Sequence, residues 1–330
     1  MNTPYRLLCM AVAGTGLALA AHSGRAAARD APASGAKASV PVAAAVAGHG
    51  GDEAVKPVFS PPPESAIPDD AFGAMVREGE RIFTHTRQYA GHYVGNDLDC
   101  GSCHLDAGRR ADAMPLWGAW GMYPAYRRKN GHVNTFAERL QDCFMFSMNG
   151  KAPPADSGAI VALSSYAYWL AQGAPTGVKL DGAGYLDLGA PAQTPDYRRG
   201  EAVFARDCAL CHGADGRGQK AAGVFVFPPL WGPGAFNWGA GLQDVNTAAG
   251  FIKANMPFSR GGTLTNQDAW DVAYFMDAHE RPQDPRFTGD VAATRKQFHD
   301  NKWSLYGIEV NGHRLGSGAP GKTQSRRAAQ

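Results

Sequence analysis

Apolar and polar positions run through one order twice along the chain. A helix-period segment with Gly-Glu and then an aromatic opens each copy: Gly79-Glu80-Arg81-Ile82-Phe83, then Gly200-Glu201-Ala202-Val203-Phe204. A Gly/Pro-rich loop follows in both. Each copy closes on a stretch, residues 160–170 and 269–279, whose apolar side chains recur at spacings of three and four, the period of one helix face. No period-two alternation of any length occurs, so strands are expected to contribute little. The pattern predicts a mostly α protein with much loop, built as two tandem small domains, 67–173 and 195–280, joined by a Gly/Pro/Asp-rich linker, 174–194.

The flanks read differently. Residues 29–66 are rich in Ala, Pro, Gly and Ser and poor in aromatics, so they bury too little surface to offset chain entropy and are expected to form a disordered leader. The tail, 281–330, holds one aromatic cluster, Phe298, Trp303 and Tyr306, expected to pack back on a domain. It then turns polar and basic from about Gly316.

Composition changes the picture at the start of the chain. Arg6, an apolar run over 7–21 and small residues up to Ala28 make residues 1–28 a secretory signal. The run is too short and too rich in Gly and Ala to make a good span, so the mature protein is expected in the periplasm without stable membrane insertion. The formal charge is +2, and losing Arg6 and Arg25 with the signal leaves it near zero, which argues against a nucleic-acid partner.

Cysteine changes it most. Cys-x-x-Cys-His occurs at Cys100, Cys103 and His104, and again at Cys208, Cys211 and His212. This is the attachment signal of c-type haem: two thiols bond the porphyrin and the histidine binds its iron. A zinc ribbon would pair its clusters in one small unit, and a thioredoxin-like site needs no trailing histidine. Two covalent haems are therefore expected, one per domain. Cys9 falls in the signal, which leaves Cys143 as the lone thiol of six cysteines.

The second copy, with its GEAVFARDCALCHGADGRG, PPLWG and ANMPF segments, resembles a class I cytochrome c domain. That resemblance implies Met256, which precedes Pro257 and lies 44 residues after His212, as the distal iron ligand. The alternative is a methionine filling a core gap. The first copy has Met114 before Pro115, but only ten residues after His104, which is too close. Cys143 lies 39 residues after His104, where a distal ligand is expected, and a thiolate lowers the potential of ferric haem. A buried structural thiol is the plainer alternative.

The stretches YVGNDLDCGSCHLDAGR and PLWGAWGMYPAYRRKNGHVNTFAERLQDCFMFSMNG, with the FHD and SLYG segments of the tail, resemble the dihaem thiosulfate dehydrogenase and tetrathionate reductase family over most of the mature chain. The resemblance implies a catalytic first haem with Cys143 as axial ligand and a relaying second haem with Met256. It further points to Arg139, Ser147 and one of Arg127 and Arg128 around the substrate. Arg139 and Ser147 stand four residues either side of Cys143, so a helix puts all three on one face. Arg109 and Arg110 are further candidates, with surface charge or a haem propionate partner as their plainer roles. Some relatives carry a lysine directly before the methionine as a competing ligand; here that position is Asn255, with Lys253 two residues further back, so plain His/Met ligation is expected.

The expected function is a periplasmic oxidoreductase joining two thiosulfates into tetrathionate and passing two electrons to a cytochrome or other high-potential acceptor. The alternatives are a haem subunit of a multienzyme sulfur-oxidising system and a dihaem electron carrier without catalysis. The second would show methionine at both haems and no cationic pocket.

Overall fold

The computed structural model describes residues 58–318. The expected signal, residues 29–57 of the expected leader and the end of the tail lie outside the described residues.

Seven principal helices carry the fold: α1 Ala71–Thr84, α2 Phe136–Asp142, α3 Gly158–Leu170, α4 Tyr197–Asp207, α5 Val245–Asn255, α6 Asn266–Asp277 and α7 Val291–Phe298. Polar side chains start most of them. Asp70 accepts from Gly73 N, Ser157 from Ile160 N, Asp196 from Arg199 N and Thr265 from Asp268 N, each satisfying a donor that the first turn leaves free. Among the described residues strands are confined to short antiparallel hairpins, including β1 Ala125–Arg127 with β2 His132–Asn134 and β3 Gln219–Ala221 with β4 Val224–Phe227. Among the described residues no helix is long and apolar enough to cross a membrane.

The repeat seen in the sequence is a repeat of packing. In the first domain α1 crosses α3 at Gly79, where a Cβ would sit 2.1 Å from the Ala162 carbonyl oxygen. In the second α4 crosses α6 at Gly200, where a Cβ would sit 2.1 Å from the Asp271 carbonyl oxygen. Both glycines exist to let two helix backbones touch. Around the first crossing pack Val76, Ile82, Phe83, Leu163, Tyr166 and Trp169; around the second, Val203, Phe204, Trp270, Phe275 and Met276, all buried.

Two connecting segments are more ordered than their composition suggests, and the tail packs as its aromatics predict. Residues 58–66, expected as the end of the disordered leader, lie on the first domain: Phe59 packs against Trp117 at 5.4 Å between ring centroids, and the Pro62 carbonyl accepts from Arg109. One aromatic and one carbonyl suffice to anchor a stretch that composition alone marks as loose. The linker is laid along both domains, with Asp112 N donating to Gly182 O, Met114 N to Gly184 O, and the Leu186 carbonyl lying close against Gly250. The tail returns to the second domain as expected: Trp303 packs on Trp270 at 4.6 Å and the buried Tyr306 on Trp238 at 5.6 Å.

The domains share a polar interface. Asn237 N donates to Phe146 O, Asn237 Nδ2 to Met145 O, and Asn96 Nδ2 to both Ser147 O and Ala235 O. Asn255, the residue before Met256, is buried and donates to Asp112 O in the first domain.

Candidate active site

Both Cys-x-x-Cys-His motifs present the histidine in the same way. His104 Nδ1 lies 2.7 Å from Met114 O, and His212 Nδ1 lies 2.9 Å from Pro228 O. A carbonyl on Nδ1 fixes the ring and leaves Nε2 as the free ligand nitrogen. Met114 therefore contributes its carbonyl rather than its thioether, from a left-handed backbone conformation with φ 52°. Burial lowers both imidazole pKa values, that of His104 to about 4, and keeps the rings neutral, the form that binds iron.

The second motif opens on a cavity of about 500 Å³. Cys208, Cys211 and His212 line it with Met256, and Phe204, Leu230, Ile252 and Met276 make it apolar. That volume lies within the range of cofactor pockets, roughly 300–1,000 Å³. Met256 caps the C-terminal end of α5, where Pro257 ends the helical run. Lys253 points away, its ammonium donating to Gly262 O and Leu264 O. Leu98, Cys103, Leu105 and Ala107 of the first domain form part of the same wall, so the first attachment loop borders the second cavity.

Around the first motif the chemistry differs. A capping box starts α2: Glu138 N donates to Thr135 Oγ1 and Thr135 N to Glu138 Oε2. The helix then widens into a π-turn, Cys143–Ser147, closed by Met148 N on Cys143 O. Such turns concentrate at functional sites. Arg139 and Cys143 share a face as the spacing predicted, and Arg139 Nη1 donates to Cys143 Sγ at 3.2 Å. The neighbouring Cys143 holds the Arg139 pKa above its ordinary value. Burial, and then Cys143, raises the pKa of the Cys103 thiol to about 12. Ser147 ends the same turn, half-buried, with its carbonyl held by Asn96.

The other predicted cations divide. Arg127 is exposed on β1, and Arg128, also exposed, donates to Asp300 O in the tail. Lys129, one residue further round the hairpin, turns inward. Its ammonium lies 3.8 Å from the Phe146 ring centroid and donates to Gly239 O. Burial, then Arg139 and Arg286, lowers its pKa to about 7. Arg109 stands apart, donating to Pro62 O and packing over Trp169, and Arg110 packs over Phe258 next to the Met256 loop.

Sequence reasoning also passed over two tyrosines. Tyr123 and Tyr185 both have raised pKa values, from burial first, and both lie in the field of Arg139 and Cys143. Tyr185 sits in the linker, where composition gave no reason to look.

Comparison with known proteins matches residues 81–176 to the SoxA/TsdA cytochrome c domain and residues 195–276 to the family described as cytochrome c oxidase, cbb3-type, subunit III. The chain therefore has two cytochrome c domains and binds haem c. It is 60% identical to the thiosulfate dehydrogenase of Thiomonas intermedia (strain K12), over 79% of this chain and 84% of that one. It is 52% identical to that of Stutzerimonas stutzeri (strain A1501), over 82% and 88%. Among solved structures it resembles thiosulfate dehydrogenase (TsdBA) from Marichromatium purpuratum, with TM-score 0.76 and 51% identity, over 79% of this chain and 58% of that longer one.

Proposed function

The chain belongs to the thiosulfate dehydrogenase family, and from that premise we propose that it joins two thiosulfates into tetrathionate, with chemistry at Cys143 and relay at Met256. One observation carries the reading: Arg139 Nη1 donates to Cys143 Sγ at 3.2 Å, so the thiol not spent on haem attachment is held under a guanidinium.

Thiosulfate is a dianion, and two of them repel. Arg139 offers a planar fork to sulfonate oxygens, and Lys129 in its protonated form adds a second cation with donors beyond the one given to Gly239 O. Haem c, when bound, takes up electrons one at a time. Cys143 Sγ bonds the terminal sulfur of one thiosulfate, and two electrons leave. The terminal sulfur of a second thiosulfate then attacks that same sulfur. The new S–S bond forms as the bond to Cys143 breaks, tetrathionate departs and the thiolate is restored. No proton enters the balance. Arg139 keeps the thiolate stable between turnovers and orients the incoming anion.

The Met256 cavity suits relay, not substrate. Its apolar wall would make a bare dianion costly to bury, while a thioether raises the potential of its haem. Because the 98–107 segment borders that cavity, two haems would lie close enough to share the two electrons before a cytochrome or other high-potential acceptor removes them. Residues 1–28 support export, which puts the reaction in the periplasm.

Cys143→Ala tests the reading. The variant should keep covalent haem at both motifs and a reducible Met256 site, while losing tetrathionate formation and the low-spin thiolate signal in electron paramagnetic resonance. Near-normal tetrathionate formation, or an unchanged spectrum, would sink it.

A further inference from the structure

The tail reaches the Cys143 site through Arg286. Its guanidinium lies near two phenylalanine rings, 4.8 Å from the centroid of Phe146 and 4.3 Å from that of Phe298. It forks onto Asp284, Nε to Oδ1 at 2.9 Å and Nη2 to Oδ2 at 2.6 Å, and Nη1 donates to the main-chain carbonyl of Lys129 at 3.3 Å. Phe146 belongs to the π-turn that begins at Cys143, and the Lys129 ammonium lies over the same ring. One tail residue thus touches both the turn that carries the thiol and the hairpin that carries the inward lysine.

Arg286 is itself held firmly. Asp284 is buried, and its Oδ2, which accepts from Arg286, also lies 3.0 Å from His299 Nε2. His299 Nδ1 meets Ser304 Oγ at 3.3 Å, and Ser304 donates to Gln243 at 2.7 Å, all three residues being buried. A second tail contact, Arg128 Nη2 on Asp300 O, fixes the adjacent hairpin residue. The chain Gln243, Ser304, His299, Asp284, Arg286 therefore runs unbroken from the second domain to Lys129.

We infer that Arg286 is a positioning residue for the reaction: it fixes the Lys129 backbone and the Phe146 ring so that the Lys129 ammonium is presented beside Arg139 to the substrate anion. The inference rests on the proposed thiosulfate chemistry at Cys143. The need is physical. Lysine is a flexible stem with a strongly hydrated head, and two neighbouring cations repel, so an unclamped Lys129 would relax toward solvent. An oxoanion binds tightly only to donors already in place.

Arg286→Lys keeps a positive charge facing Asp284, but a single ammonium cannot replace the fork and also hold the Lys129 carbonyl. It should raise the thiosulfate KM about tenfold, with kcat within about a factor of two, the signature of lost anion binding. The thiolate resonance signal and the potential of the Met256 site should stay unchanged. In a Lys129→Met background the same substitution should alter KM by less than about twofold, since the group it positions is gone. An equal rise in both backgrounds, or no rise from Arg286→Lys, overturns the inference. So does an unchanged KM in Lys129→Met alone, which would remove Lys129 from the site yet leave the Cys143 chemistry to stand on its own variant. If Arg286→Lys does not fold, Phe298→Leu loosens the same guanidinium with every charge retained, and the same two-background comparison decides.

Discussion

The two haem-attachment sites are built alike on one side and unlike on the other. Each uses the same five-residue motif, the same carbonyl on histidine Nδ1 and the same glycine-mediated helix crossing behind it. They part at the sulfur residue expected as the second ligand. Met256 closes the second site from the end of α5, inside an apolar cavity. In the first domain Cys143 stands on a π-turn, with a guanidinium on its sulfur and a lysine one ring away. A neutral thioether needs nothing from its surroundings but exclusion of water. A thiolate needs a cation, and a cation beside a reactive sulfur is also what an anionic substrate needs. On the proposed reading, the difference between relay and catalyst lies in one distal residue and the charge that accompanies it.

Exchanging that residue is the severest test. Cys143→Met makes the first site resemble the second, and should raise the potential of its haem while cutting thiosulfate turnover by at least about a thousandfold, since the nucleophile is gone. Spectropotentiometry with a steady-state assay reads both; a raised potential with turnover intact would mean that the thiol is a ligand and nothing more. Removing only the accompanying charge should matter less. Arg139→Gln leaves the sulfur but not the guanidinium, and is expected to cost about a hundredfold in kcat/KM, with much of the loss recovered in Arg139→Lys. If glutamine and lysine behave alike, charge at that position is not what distinguishes the sites.

How much of this asymmetry the sequence carried depends on how far apart its parts lie. The attachment motifs, the Met-Pro loop and the Arg139–Cys143 pair are local: each sits within one turn or one loop, where spacing, or for Met256 the resemblance, picks it out. The paired Gly-Glu segments were visible as a repeat, although only the structure explains their glycines. Lys129 and Tyr185 were not legible, because they reach the site through a hairpin and through a linker laid across both domains. The resemblance points to one of Arg127 and Arg128, yet Arg128 is engaged by the tail from 172 residues away, and the inward position falls to their neighbour. Residues 58–66 depart from the expected loose leader for a related reason: composition averages over a stretch, while Phe59 packs on Trp117 and the Pro62 carbonyl accepts from Arg109.

The smallest effect expected bears on what the sites share. Gly79→Ala and Gly200→Ala each place a methyl 2.1 Å from a backbone oxygen, Ala162 O in one domain and Asp271 O in the other. The helices must part to admit it. Overpacking of this kind costs roughly 3 kcal/mol at the upper end of its usual range. Alanine is the better helix former by about 1 kcal/mol. The net loss should be roughly 2 kcal/mol in either domain by denaturant unfolding. The two variants should match because the contact is the same, and activity measured well below the transition should survive in both because neither crossing contains Cys143 or Met256. A tolerated alanine at one crossing and a damaging one at the other would show that the domains differ in their scaffold as well as their distal residue. The asymmetry could then no longer be assigned to Cys143 and its cations alone.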